Sequence, residues 1–213
     1  MEIVQQNDEL IEASWTDAWA FAAYKKKLLV VSILFTAVLL YYPYFFHYIQ
    51  HRPGKFLYDP VLTVLPPLDM SAYIFPLIYV TVGLGMFRAV QSPSLFLLFL
   101  CSCLLLSITR IITMTLVPLE PPVGLVQLAD PFLVPFYGHT HITKDLFFSG
   151  HTGSVFLIFL FLQKKREKIF ALVATVLVGL LLLIQHIHYT IDVLCAPLFV
   201  YFIFVLAKRI TNV

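Results

Sequence analysis

The chain of 213 residues is far more apolar than a soluble domain, with 60% hydrophobic residues, 12% charged residues and a mean hydropathy of +0.89. Its net charge of +2 comes from basic residues that stand in short clusters beside apolar runs, which indicates membrane topology and argues against a nucleic-acid-binding surface. The composition therefore predicts an all-α, polytopic membrane protein.

The first 27 residues are polar and partly acidic, and they lack the basic start of a cleavable signal peptide. Within them, Asn7–Tyr24 is compatible with a short helix on the cytoplasmic surface, because Trp15 and Trp19 are four residues apart and would share one face. A solvated tail explains the same residues equally well. We therefore predict an amphipathic or flexible cytoplasmic segment at residues 1–27.

Six apolar stretches follow as candidate membrane spans. The first four are Leu28–Phe46, Met70–Phe87, Leu95–Val117 and Phe148–Leu162. The last two come from Ile169–Ala207, which as one helix would be about 59 Å long, about twice the thickness of a bilayer core, and must fold back. The only polar break in this stretch is Gln185–Asp192, which predicts a turn near a membrane surface.

The basic residues predict the orientation of these spans. With both termini in the cytoplasm, most of the 14 lysine and arginine residues fall on the cytoplasmic side, as the positive-inside rule requires. Four remain on the outer side: Arg52, Lys55, Arg110 and Lys144. This orientation requires an even number of spans, which six satisfies. We predict a six-helix transmembrane domain at residues 28–207, a cytoplasmic tail at 208–213 and one long, proline-rich outer loop at Pro118–Leu146.

Four ionisable residues share the outer membrane face in this topology: Arg110, His151, His188 and Asp192. Such groups are costly beside membrane spans and tend to be functional. His188 and Asp192 are four residues apart, so on a helix Asp192 can hold one ring nitrogen of His188 and make the other more basic. His186, two residues from His188, points elsewhere, and we assign it to the loop or to a supporting position.

The turn before the fourth span suits a phosphate group. Ser149 is a candidate N-cap, and Gly150 allows close approach of a ligand to the backbone at the start of a helix. Arg110 supplies a permanently charged fork for phosphate oxygens. Together with two histidines, these residues favour phosphoryl transfer without metal or cofactor. A zinc site would use the histidines and Asp192, but it would explain neither Arg110 nor the serine-glycine turn.

Each of these residues alone has an ordinary structural explanation. A single histidine near a helix end is usually an interfacial polar residue, and Arg110 alone could extend its charged end toward water. The combination of the His188–Asp192 pair with the turn at Ser149–Thr152 is what favours a functional site.

Several motifs resemble those of the sphingomyelin synthase family, which belongs to the lipid phosphate phosphatase (type 2 phosphatidic acid phosphatase) superfamily. The most specific of these motifs are Ser149–Thr152 and His188–Val193. Asp145 precedes Ser149 by four residues, as in the family's D-x-x-x-S-G-H-T motif. Arg110–Met114 resembles its R-x-I-T-M segment, and Leu65–Asp69 is imperfectly similar to a proline motif. The resemblance covers roughly residues 60–205.

The resemblance implies roles for these residues. His188 would attack the phosphorus of a donor phospholipid and form a phosphohistidine, Asp192 would orient His188, and His151 would protonate the diacylglycerol and then activate a ceramide-like acceptor alcohol. Asp145 and Tyr189 are further candidate substrate contacts. The family's Cys-Gly before the motif aspartate is Thr143-Lys144 here, so we expect Lys144 to add a cation near the phosphate and to affect head-group choice.

Two other functions remain open at this point. A hydrolase on the same scaffold would be a lipid phosphate phosphatase or a phospholipase C, although the K-x6-R-P motif of the wider phosphatase pattern is absent from the sequence. A non-catalytic protein could use the same cluster to bind an anionic lipid, and it would tolerate His188→Ala. The expected partners are the bilayer, a phospholipid donor and a lipid-alcohol acceptor, with the site on the extracytoplasmic face.

Overall fold

The computed structural model describes residues 14–128 and 142–212 and is all-helical in these ranges. A single turn, α1, precedes a long helix, α2, and five more helices follow. Their bounds are α1 Trp15–Ala18, α2 Ala22–His51, α3 Ser71–Ala89, α4 Pro93–Leu116, α5 Gly150–Phe161, α6 Lys165–Ile184 and α7 Thr190–Thr211. Five of them, all except α1 and α5, are long and apolar enough to cross a membrane.

The structure agrees with the sequence on most spans and differs on one. The stretch Ile169–Ala207 is divided between α6 and α7, and the chain turns between Ile184 and Thr190, as the polar break predicted. The predicted span Phe148–Leu162 is instead the 12-residue helix α5. At ~1.5 Å per residue, α5 is about 18 Å long, too short to cross a bilayer core by itself. The count of six spans and the cytoplasmic position of both termini remain predictions.

Helix α5 lies at the centre of the bundle, in contact with α3, α4, α6 and α7. It is apolar around its whole circumference, which is typical of a helix that is buried on all sides. Four of its side chains are buried in the hydrophobic clusters between the helices: Val155, Leu157, Ile158 and Phe161. The neighbouring helices therefore fix the position of its first turn, which carries Ser149–Thr152.

The N-terminal helix is shorter than the sequence predicted. Of the predicted helix Asn7–Tyr24, residues 7–13 lie outside the described part of the chain, α1 is one turn long, and Tyr24 already belongs to α2. Trp15 packs edge-on against Phe96 of α4 and donates its indole N–H to Val90 O at 3.0 Å, whereas Trp19 is 51% exposed. Trp15 is thus held by tertiary packing, and the position of this segment relative to a membrane surface remains a prediction.

The loops after α2 and α4 are tied together around the start of α7. Lys55 and Leu119 form an isolated parallel bridge that joins the loop after α2 to the loop after α4. Asp59 accepts hydrogen bonds from the backbone N–H and the hydroxyl of Thr190, at 2.6 and 3.0 Å. Burial raises the pKa of the Asp59 carboxyl, but hydrogen bonds from Thr190, Val61 and Leu62 outweigh it and lower the pKa below its ordinary value. Asp59 therefore remains a carboxylate and fixes the loop after α2 to the start of α7.

Candidate active site

His188 and Asp192 form a buried pair at the junction of α6 and α7. His188 Nδ1 lies 3.3 Å from Asp192 Oδ2, and both side chains are at most 1% exposed. The same oxygen accepts the backbone N–H of Tyr189 at 3.1 Å, so Asp192 also caps the first turn of α7. This double use fixes the carboxylate and thereby the orientation of the His188 ring, as the i,i+4 spacing predicted.

The first turn of α5 lies against this pair. Ser149 is the N-cap predicted from the sequence, and its hydroxyl accepts the backbone N–H of Thr152 at 3.2 Å. The backbone N–H of Ser149 donates to Asp192 O at 3.0 Å, which joins the two histidine motifs directly. The ring centroids of His151 and His188 are 6.2 Å apart. The structure therefore brings together two histidines that are far apart in the sequence.

Arg110 approaches the same turn from α4. Its side chain is buried and donates to Phe148 O at 2.6 Å and to the Asp145 carboxylate, with which it forms an ion pair. The Phe148 ring stacks on Phe199 of α7 with the centroids 4.9 Å apart, and the Arg110 guanidinium lies 5.6 Å from the Phe148 centroid. Because an arginine carries five N–H donors, Arg110 keeps donors for a phosphate while these contacts hold its position.

Gly150 allows this close approach. A Cβ atom at position 150 would lie 2.6 Å from the Cζ and Nη1 atoms of Arg110, which is closer than real Cβ contacts. Arg110 thus occupies the space that a side chain at position 150 would need. This is a second reason for the glycine, besides the close approach of a ligand that the sequence suggested.

We expect Gly150→Ala to lower kcat/KM by about 10- to 100-fold, because it displaces the guanidinium by a large fraction of an ångström. Turnover of a phospholipid donor in mixed micelles measures the effect. Gly83→Ala is the matched control, since among the described residues no atom lies within 4 Å of a Cβ at that position in α3. Equal rates for the two variants would contradict the role of Gly150.

Lys144 and Tyr189 do not point at the histidine pair. Lys144 donates to Glu120 at 2.8 Å and to Arg52 O at 2.7 Å, so its ammonium group forms an ion pair with a residue of the loop after α4. The hydrogen bond from Lys144 lowers the pKa of the Glu120 carboxyl, which keeps that partner ionised. The effect of Lys144 on head-group choice remains a prediction.

Tyr189 is buried and uses its hydroxyl within the protein. It donates to Glu120 O at 3.0 Å and accepts the backbone N–H of Leu57 at 3.3 Å. The Tyr189 side chain thus holds the loops after α2 and α4 together. A direct contact with substrate by Tyr189 or Lys144 remains an untested prediction.

The sequence analysis missed three further residues that position the site. Asp59 caps α7, Glu120 pairs with Lys144, and Gln185 is fully buried between α6 and the start of α3, where it donates to Ser71 Oγ at 2.9 Å. The signal for Gln185 was its place in the only polar break of an apolar stretch. Asp59 and Glu120 gave no such signal, because they lie in polar loops.

His186 supports the same junction, as its assignment to the loop predicted. Its ring nitrogens face Val123 O at 2.9 Å and Leu65 O at 3.0 Å. A neutral imidazole carries one N–H and donates to one of these carbonyls at a time. His186 thereby connects the loops after α2 and α4 to the turn that precedes His188.

Residues 144–209 match the family model described as PAP2 superfamily C-terminal. This is about a third of the chain, and it contains Asp145, Ser149, His151, His188 and Asp192. Arg110 lies outside it. No curated protein and no solved structure matches the chain.

The match and the fold together support one class of protein. The five apolar helices indicate an integral, multi-pass membrane protein. The match is a similarity to the PAP2 superfamily over residues 144–209, and it supports an enzyme of the lipid phosphatase or phosphotransferase type. The match does not extend to the sphingomyelin synthase family.

Proposed function

We propose that this protein is a head-group phosphotransferase of the sphingomyelin synthase type, which moves a phospho-head group from a glycerophospholipid to a ceramide-like alcohol. The observation that supports it most is the packing of the His188–Asp192 pair against His151 and the capped first turn of α5. The neighbouring Arg110 adds a positive charge at the same point.

In the proposed first step, His188 Nε2 attacks the phosphorus of the donor lipid. Because Nδ1 faces Asp192, the ring carries its proton on Nδ1 and a lone pair on Nε2. A P–N bond forms while the P–O bond to diacylglycerol breaks. Protonated His151 gives its proton to the leaving oxygen, and the head group stays on His188 as a phosphohistidine.

In the second step, the acceptor alcohol takes the head group. Neutral His151 removes the proton of the hydroxyl, whose oxygen attacks the phosphorus, and the P–N bond breaks with its electron pair returning to Nε2. Asp192 stabilises the positive charge that the His188 ring gains in the first step and carries until the P–N bond breaks in the second. Arg110 and the free N–H groups of the first turn of α5 stabilise the charge on the phosphate oxygens.

The site would face the extracytoplasmic side. Its residues come from one end of the bundle: the last two turns of α4, the start of α5 and the junction of α6 with α7. Basic clusters lie at the start of α6 and at the end of α7, in each case at the end of the helix that is opposite to the site. A third basic cluster lies at the start of α2. The positive-inside rule assigns such clusters to the cytoplasm.

A hydrolase is the second candidate, and the family match over residues 144–209 favours it. Its first step is the same, and water replaces the alcohol in the second. The two functions therefore differ in acceptor rather than in the residues that handle the phosphate.

The test supplies labelled phosphatidylcholine or phosphatidylethanolamine to purified protein in mixed micelles, with and without ceramide. Formation of a labelled ceramide phospholipid supports the transferase. Release of diacylglycerol at the same rate without ceramide would show a hydrolase instead of a transferase. Release of inorganic phosphate from phosphatidic acid alone would also show a hydrolase. If no lipid is turned over, the proposed function fails and the alternative of a non-catalytic protein that binds an anionic lipid remains.

We expect Asp192→Asn to lower kcat by about 10²- to 10⁴-fold while the protein remains folded. An asparagine oxygen can still accept the N–H groups of Tyr189 and His188, but it lacks the charge that stabilises an imidazolium. Rates of head-group transfer by variant and wild type measure the effect. Asp69→Asn, which changes an exposed carboxylate at the start of α3, is the control. An unimpaired Asp192→Asn variant would contradict the proposed role.

A further inference from the structure

A groove runs between the loop after α2 and the first turns of α7. It encloses about 270 Å³. Its apolar lining includes Leu57, Tyr58, Val61, Ile191 and Leu194. All five side chains are exposed, so the groove is open to the surroundings of the protein.

The only ionisable carboxylate in the described lining is already occupied. Asp59 accepts from the backbone and side chain of Thr190 through its two oxygens, and Oδ1 also accepts the backbone N–H of Val61 at 3.0 Å. These contacts satisfy the Asp59 oxygens within the protein, and no other residue of the described lining carries a charge. Its lining therefore suits a hydrocarbon.

The groove continues an apolar stripe along α7. Ile191, Leu194, Leu198 and Phe202 follow the spacing of one helix face, and all four are exposed. Because α7 is long and apolar enough to cross a membrane, its exposed face contacts lipid hydrocarbon. The groove stands at the end of this stripe where α7 begins, which is the end at which His188 and Asp192 lie.

The groove and the histidine pair are formed by the same helical turn. Thr190 and Ile191 face the groove, while Asp192 is buried beside His188. We propose that the groove holds a hydrocarbon chain of the lipid whose phosphate reacts at His188. This proposal rests on the proposed function for the identity of that lipid, and it assigns the loop at residues 57–61 to substrate binding.

Photo-crosslinking tests the groove without requiring turnover. Phosphatidylcholine with a photoreactive group in one acyl chain is bound to the purified full-length protein, and the adducts are mapped by mass spectrometry. We expect adducts at residues 57–61 and 191–194 that unlabelled donor lipid competes away and that Leu194→Trp removes.

Leu198→Trp is the matched control, because Leu198 lies one turn further along the same face, is 57% exposed against 68% for Leu194, and does not line the groove. Labelling that is uniform along α7, insensitive to competition and equal in both variants would show ordinary surrounding lipid and overturn the proposal.

A kinetic measurement links the groove to the reaction. Leu194→Trp fills the groove, so we expect it to raise KM for a long-chain donor by about tenfold, with a smaller effect on kcat and on short-chain donors. A KM unchanged for every chain length would contradict the proposal. If the wild type turns over no lipid, the proposed function fails, and the crosslinking pattern still decides whether the groove binds a chain.

Discussion

Replacing His188 with alanine is expected to reduce head-group transfer by at least about 10⁴-fold, because the variant has no atom that can carry the phosphoryl group. His188 is 1% exposed and its ring contacts Asp192, so His188→Asn should accompany it as a variant closer in size and polarity. Both should lose turnover together. Rates are measured in mixed micelles, and thermal unfolding of each variant in detergent checks that the fold is kept.

His47→Ala is the control for this experiment, since His47 is an exposed residue of α2 outside the site. We expect its rate to equal that of the wild type. Turnover by a folded His188→Ala protein at more than about a tenth of the wild-type rate would exclude His188 as the nucleophile.

Replacing Arg110 with lysine is expected to lower kcat/KM by about 10²- to 10³-fold. Lysine keeps the charge, and its ammonium can pair with Asp145, but it cannot hold Phe148 O and Asp145 while presenting a planar fork to a phosphate. The loss should appear with every donor head group, because the contact is to the phosphate itself. Kinetics with phosphatidylcholine and phosphatidylethanolamine measure it.

Arg52→Lys is the matched control. Arg52 lies on the same side of the bundle and donates to the carbonyls of Thr115 and Met114 at the end of α4, away from the histidines. We expect its kcat/KM to stay within about threefold of the wild type, since only a helix end is affected. An equal loss in both variants would mean that Arg110 acts through stability rather than through the phosphate.

The features predictable from the sequence are those governed by membrane thickness and helix geometry. A stretch about twice as long as a bilayer core had to fold back, and its polar break placed His188 and Asp192 at the turn. The four-residue spacing then brought the two side chains together. The structure confirms the turn between α6 and α7 and the contact between these residues.

The features that the sequence did not predict depend on tertiary packing. The shortness of α5 follows from its burial among four helices, which composition alone does not distinguish from a membrane span. The pairing of Lys144 with Glu120 and the capping of α7 by Asp59 join residues 24 and 131 positions apart, respectively. Such contacts are formed by loops whose paths have no periodic signal.

The covalent intermediate tests the central claim most directly. Purified protein is mixed with a donor phospholipid in the absence of acceptor, quenched in base to preserve a P–N bond, and digested for mass spectrometry. Our account predicts the mass of the phospho-head group on His188, its disappearance on addition of ceramide, and its absence from His188→Asn. Rapid turnover with no adduct on His188, or an adduct on another residue, would contradict it.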